Sequence, residues 1–159
     1  MHSDLLTDWL RDAGFNITDQ TRSGRSSKNA GEIDLMVRNA TGTPVTIIEA
    51  FRANSCGDKN TNISSHINKL IHDYDTIGHE FNFIVVYAEA KDFVSFWKNY
   101  NIYLNKLNSK QEFINTYPLL SFDDTSISDK ANLKIGLAKH KREDKIVKIY
   151  HIVVNMYKA

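Results

Sequence analysis

Gly31-Glu32-Ile33-Asp34-Leu35-Met36-Val37 and Val45-Thr46-Ile47-Ile48-Glu49-Ala50-Phe51-Arg52, separated by Asn39-Ala40-Thr41-Gly42-Thr43-Pro44, are the residues on which the reading of this chain turns. Both runs are aliphatic and β-branched, and the segment between them is rich in turn formers, so the stretch predicts two strands joined by a short turn. Each strand carries an acid inside an apolar run. A carboxylate among Ile, Leu, Met and Val is costly to bury unless something pairs with it. Residues i and i+2 of a strand share a face. Glu32 and Asp34 therefore face together, and Glu49 shares its face with Ile47 and Phe51. Strands paired through the short turn would set Asp34 and Glu49 on the same side of the sheet.

Two carboxylates and a main-chain carbonyl make a hard, oxygen-rich site suited to Mg²⁺, with Mn²⁺ as a substitute. Such a cation lowers the pKa of a bound water and neutralises charge on a phosphate, which is the chemistry of phosphodiester hydrolysis. Two plainer readings compete: solvated strand acids, or a buried ion pair. Glu32 fits a solvated strand start as well as it fits a ligand.

The 159 residues suit one domain with a sizeable core. A formal charge of +1 neither demands nor excludes a nucleic-acid partner, so local clustering must decide. The single cysteine, Cys56, excludes an intrachain disulfide and a Cys-based metal cluster, and nothing around it is arranged as a base-activated thiol. No apolar run approaches the ~20 residues of a membrane span, and the first residues do not read as a signal peptide. The expected setting is cytoplasmic.

Outward from the two strands, Ser3-Asp4 begins a helix with Leu5, Leu6, Trp9, Leu10 and Ala13 at helical spacing, closed by Gly14. Phe15 to Thr21 reads as a short strand. A second helix is expected over Asn60 to Asp75, with Ile63, Ile67, Leu70, Ile71 and Tyr74 as its apolar stripe. Phe81 to Tyr87 is a buried strand. Asp92 to Leu107 is a third helix, and its aromatic stripe, Phe93, Phe96, Trp97 and Tyr100, reads as core rather than as a base-stacking platform. Gln111 to Tyr117 adds a short helical turn before Pro118. Leu133 to Lys139 and Ile146 to Tyr157 form two strands around the charged turn His140 to Lys145. The expected class is α/β: a mixed central sheet flanked by helices, with a C-terminal β-pair.

Helix, Gly-Phe, polar loop, Gly-Glu-Ile-Asp, then a hydrophobic strand with Ile-Glu resembles the PD-(D/E)xK nuclease superfamily, in the flavour of Holliday-junction resolvases and Mrr-like restriction endonucleases. The resemblance covers roughly residues 4 to 87. It implies an αβββαβ restriction-endonuclease-like core within about 4–107 of one nuclease-like domain spanning 1–159, with 108–159 an extension of unassigned role. It implies a Mg²⁺-dependent endonuclease acting on nucleic acid, DNA before RNA, in restriction or phage defence. Asp34 and Glu49 would be the metal ligands and catalytic acids. A homodimer or a larger defence complex is compatible with it, though no residue here points to either.

The chain departs from the family at Phe51, where the motif has a lysine. Arg52 is cationic but one residue out of phase, so a regular strand points it to the other face unless a bulge re-aims it. The next helix offers His66-Ile-Asn-Lys69, with His66 and Lys69 on one helical face. Lys69 is the substitute cation on this reading, and His66 a phosphate contact or proton carrier. The plainer readings are a surface lysine and a helix-surface histidine. Arg22, Arg25 and Lys28 stand in a loop without acids just before the site and suit phosphate contacts, as would Arg52 if it did not pair with Asp58 or another nearby acid. Lys139, Lys141, Arg142, Lys145 and Lys148 cluster around Glu143 and Asp144 and read as an exposed hairpin. His72, His79, His140 and His151 lack metal-ligand spacing and receive no role. Two other functions fit the same residues: a catalytically inactive PD-(D/E)xK module that binds nucleic acid or protein, favoured by Phe51, and a toxin-type nuclease on DNA or tRNA.

Overall fold

The computed structural model describes residues 7, 8, 10–19, 33–126 and 131–159. Residues 10–12 are helical, and the helix ends as expected at Gly14, whose φ of 90° is open to a residue without Cβ. Gly14 N–H donates to Arg11 O at 2.9 Å and Phe15 N–H to Leu10 O at 3.0 Å, the paired bonds of a Schellman ending. The strands are β1 (Asn16–Asp19), β2 (Ile33–Arg38), β3 (Pro44–Ala53), β4 (Phe81–Ala88), β5 (Leu119–Asp124), β6 (Leu133–Arg142) and β7 (Lys145–Asn155). The helices are α1 (Asn62–Asn68), which runs on as a π-helical turn (Lys69–Tyr74), then α2 (Phe93–Asn105) and the short α3 (Gln111–Ile114). The strands form one mixed sheet in the order β1-β2-β3-β4-β7-β6-β5. The class is thus α/β, a seven-stranded mixed sheet flanked by helices.

The β2–β3 turn forms because Asn39 supplies an acceptor that the loop backbone lacks. Its Oδ1 accepts from Thr41 N–H at 3.0 Å and Thr43 N–H at 2.9 Å, and Gly42 takes φ 83°. The turn fixes the antiparallel register of β2 on β3. β3 then pairs in parallel with β4, and β4 in parallel with β7.

The main core lies on the helix-covered face of the sheet. Ile47, Phe51 and Ala53 of β3 and Ile84, Val86 and Ala88 of β4 meet Ile63, Ile67 and Leu70 of the α1 segment and the aromatic stripe of α2. That stripe is core, as its spacing predicts: Phe93, Phe96, Trp97 and Tyr100 are all buried. Asp92 caps α2, its carboxylate accepting from Ser95 N–H at 3.0 Å and Ser95 Oγ at 2.7 Å, which holds the carboxyl below its ordinary pKa. A smaller cluster, Ile17, Leu35, Val37 and Ile48, with Leu10 packed on it, occupies the opposite face. No helix among the described residues is long and apolar enough to cross a membrane.

The expected C-terminal β-pair forms as β6 on β7, and it lies within the central sheet, because β7 hydrogen-bonds to β4 and β5 extends β6. Two expectations need correction. β5 escapes a periodicity reading because Leu119-Leu120-Ser121-Phe122-Asp123-Asp124 is short and its register shifts between Leu119 and Ser121. The β6–β7 turn is only Glu143-Asp144, and His140 lies inside β6, buried. Lys139 and Lys141 disguise it as a loop, yet they occupy the outward positions of a strand with one solvated face.

Candidate functional site

Glu49 sits midway along β3 and is fully buried. The register pairs it directly with Asp34 of β2, the juxtaposition predicted from the turn. Directly opposed residues of an antiparallel pair share a face. The structure describes Asp34 by its backbone alone. One step further along β3, Phe51 lies on the same side as Glu49, and it too is buried.

The group that meets Glu49 is His66. Its Nδ1 donates to Glu49 Oε1, since a carboxylate only accepts and Nδ1 must then carry the hydrogen. The imidazole is 3% exposed and lies flat on the Phe51 ring, centroids 4.2 Å apart and planes 5° from parallel. The helix-surface reading of His66 is therefore wrong. A signal was present: His66 is three residues after Ile63 and four before Leu70, inside the stripe that α1 buries. A polar residue within an apolar stripe opposite an acid-bearing strand marks a pair.

The other oxygen of Glu49, Oε2, is buried without a hydrogen-bond partner among the described residues. Such an atom costs about 1–3 kcal/mol, more when it is charged, unless something meets it. A hard divalent cation is one group that would, with the register-opposed Asp34 as the second acid.

The remaining site residues distribute as follows. Lys69 is half-buried at the junction where α1 becomes a π-helical turn, three residues on from His66. Its Nζ stands 5.4 Å from the centroid of the Tyr74 ring. Arg52 points away from the Glu49 side, as its phase predicts, and its Nη1 lies 3.7 Å from Glu89 Oε1. Asp58, the other acid considered for it, instead pairs with Lys106 at 3.4 Å. Glu32, Arg22, Arg25 and Lys28 lie outside the described residues. Cys56 is buried with its thiol pushed up to about 12 by desolvation, which keeps it from acting as a nucleophile.

No family model, no curated protein and no solved structure matches this chain. The case for function therefore rests on the residues themselves, and a second polar centre gives them a scale.

Asp75, just past the π-helical turn, is also fully buried. It accepts from His79 Nδ1 at 2.6 Å, from His79 N–H at 2.8 Å and from Asn82 Nδ2 at 2.8 Å. Arg142 donates to the main-chain oxygens of Ile71 and Asp75 and stands 3.8 Å from the Asp75 carboxylate. Asn82 Oδ1 in turn receives Ile47 N–H at 3.1 Å. The network ties the helix end, β3, β4 and β6 together and leaves neither carboxylate oxygen unmet. His79 and Arg142, read from sequence as unassigned and exposed, belong to it. Arg142 meets partners 67 and 71 residues away, which spacing cannot reveal, whereas His79 stands only four residues from Asp75 in a loop that no periodicity marks.

His140 and His151 are buried on the same face. His140 Nδ1 donates to Tyr117 O at 3.0 Å, and Tyr100 Oη bonds His151 Nδ1 at 2.7 Å. Burial pushes their pKa values down to about 4 and about 3. Each has an Nε2 without a partner among the described residues. An imidazole can shed its charge and stay neutral, so its unmet nitrogen costs far less than an unmet carboxylate oxygen.

Proposed function

We propose that this chain is a metal-dependent nuclease of the PD-(D/E)xK type, hydrolysing phosphodiester bonds of nucleic acid, DNA before RNA. The observation that carries the reading is the Glu49 carboxylate: fully buried, one oxygen bonded to His66, the other unmet, and the whole residue in register with Asp34. Asp34 and Glu49 would hold Mg²⁺ or Mn²⁺. A cation held there supplies charge neutralisation at the phosphate and a more acidic water. Water adds to phosphorus, the P–O bond to the leaving oxygen breaks, and that oxygen takes up a proton.

Within this chain, His66 fixes the Glu49 carboxylate by its Nδ1–H bond, and Phe51 fixes the imidazole plane by stacking. Lys69 supplies the positive charge that Phe51 does not, one helical turn from His66. A restriction or phage-defence setting is what the same family resemblance implies, and Arg22, Arg25 and Lys28 are the proposed backbone contacts.

A second reading has its own observation. Phe51 is 1% exposed and packed against His66, so the position of the family's lysine is filled by core. That favours a module that keeps the fold and binds without cutting.

Incubating plasmid, linear DNA, RNA and tRNA with the protein in Mg²⁺, Mn²⁺ or chelator separates these readings. Cleavage that requires metal and is lost in Asp34→Ala, Glu49→Ala and Lys69→Ala supports the nuclease. Cleavage confined to tRNA points to a toxin-type enzyme. Metal-dependent cleavage that survives Glu49→Ala removes the site assignment, and the absence of cleavage on every substrate favours the binding module.

A further inference from the structure

The sheet has a second face. Alternate residues of β4, β7 and β6 point away from α1 and α2, and they are only half-buried along most of their length. Phe81 and Phe83 of β4 and Tyr150 of β7 lie there, with Phe81 39% exposed. The parallel register sets Phe83 beside Tyr150 and Phe81 beside Lys148. The Phe83 and Tyr150 rings are 5.7 Å apart at 19°, and those of Phe81 and Tyr150 are 6.3 Å apart at 16°. The three rings are thus nearly parallel and stack from one to the next, an aromatic tile on this face.

Lysines stand at one end of the tile. Lys148 Nζ is 4.9 Å from the Phe81 centroid and 3.2 Å from Glu80 Oε1. Lys139 of β6 is directly opposite Lys148 in the antiparallel register. Like charges so placed repel. Lys139 has no hydrogen bond or ion pair among the described residues, so only one of the two charges is met within the chain. Lys139, Lys145 and Lys148 line one cleft with Gly78, Glu80 and Ile146.

We propose that this face binds single-stranded nucleic acid, bases stacking on Phe81, Phe83 and Tyr150 and phosphates meeting Lys139 and Lys148. Every base offers a π-face to a flat ring, and unstacked bases reach such a ring only from a single strand. A phosphate between the two lysines relieves their mutual repulsion. The core of a protein interface is depleted of lysine, so the lysine pair argues for a polyanion over a second copy of this chain. Glu49 and its neighbours lie on the other face of the sheet, so this binding surface is separate from the proposed cleavage site.

The test is fluorescence anisotropy of labelled oligothymidylate, oligouridylate and a duplex of equal length, at low salt and with chelator present. Without metal, binding is read independently of cleavage, and the two proposals fail separately. Wild type is expected to bind the single strands more tightly than the duplex. Tyr150→Ala is expected to weaken single-strand binding about tenfold. Tyr150→Leu, which keeps an apolar side chain for folding, is expected to weaken it likewise. Lys139→Gln is expected to lower the slope of log affinity against log salt by about one. Lys106→Gln, which removes an equal charge beside Asp58, should leave binding unchanged. No single-strand binding by wild type, or binding unaltered by the Tyr150 and Lys139 changes, would overturn the proposal. So would a dimer in sedimentation that the same changes dissociate, which would give the face to a second copy.

Discussion

Glu49 and Asp75 are both carboxylates with no exposed surface, each bonded to the Nδ1 of a histidine, His66 on α1 for Glu49 and His79 in the loop after the π-helical turn for Asp75. They differ in what meets the second oxygen. At Asp75 both oxygens receive donors from His79, and Asn82 adds another. At Glu49 the second oxygen has none among the described residues. A buried acid that serves folding collects donors until its charge is spread over them. A buried acid whose surroundings stop short of that retains an acceptor, which the proposed function assigns to a cation. On that proposal the second oxygen, rather than burial or partner identity, distinguishes the two pairs.

Acid breaks the comparison first, through neither acid. His140 and His151 are held neutral with pKa values of about 4 and about 3, against 6.5 for a free histidine. Below pH 6.5 the unfolded chain takes up protons that the folded chain refuses, so stability falls as pH falls. The loss reaches about 1.4 kcal/mol per pH unit for each histidine, down to pH 4 for His140 and pH 3 for His151. Urea melts at pH 7, 6 and 5 measure it, and His140→Gln should roughly halve the slope.

Asp75→Asn comes next. It strips the charge from the centre that holds His79, Asn82 and Arg142, and it should cost about 3–5 kcal/mol in the same melts. Gly136→Ala should cost about 1–3 kcal/mol, because a Cβ there would stand 2.3 Å from the Phe122 ring. Gly136 faces His151 in register, and Phe122 stacks edge-on to that imidazole. Displacing the ring should also raise the His151 pKa, readable by NMR titration. Glu49→Gln should have the smallest effect on stability, within about 1 kcal/mol, because the amide oxygen still accepts from His66 while an unmet charge disappears. A loss as large as that of Asp75→Asn would mean that Glu49 serves folding.

Much of this was legible in the residues. Asn39 to Pro44 fixed the register that pairs Asp34 with Glu49, and helical spacing marked the stripes of α1 and α2. The aromatics of α2 declared themselves as core. The plainer surface reading of His66 comes from the serines and asparagines around it on α1, while its neighbours at three and four residues, Ile63 and Leu70, mark the buried stripe. The Asp75 network was invisible because its members come from segments up to 71 residues apart and none is periodic. β5 was lost because it is short and its register shifts, and the reach of β6 because a strand with a half-solvated face tolerates Lys139 and Lys141 at its outward positions. Tertiary contacts, not local pattern, decide such places.

The central claim is that Glu49 is a cation ligand rather than a folding acid, and Mn²⁺ binding followed by electron paramagnetic resonance tests it most directly. The account predicts that wild type binds Mn²⁺, that Glu49→Gln binds it at least tenfold more weakly while unfolding at an almost unchanged temperature, and that a charge removed at Asp124, beside Trp97, has no effect. Mn²⁺ binding by Glu49→Gln equal to that of wild type would contradict it.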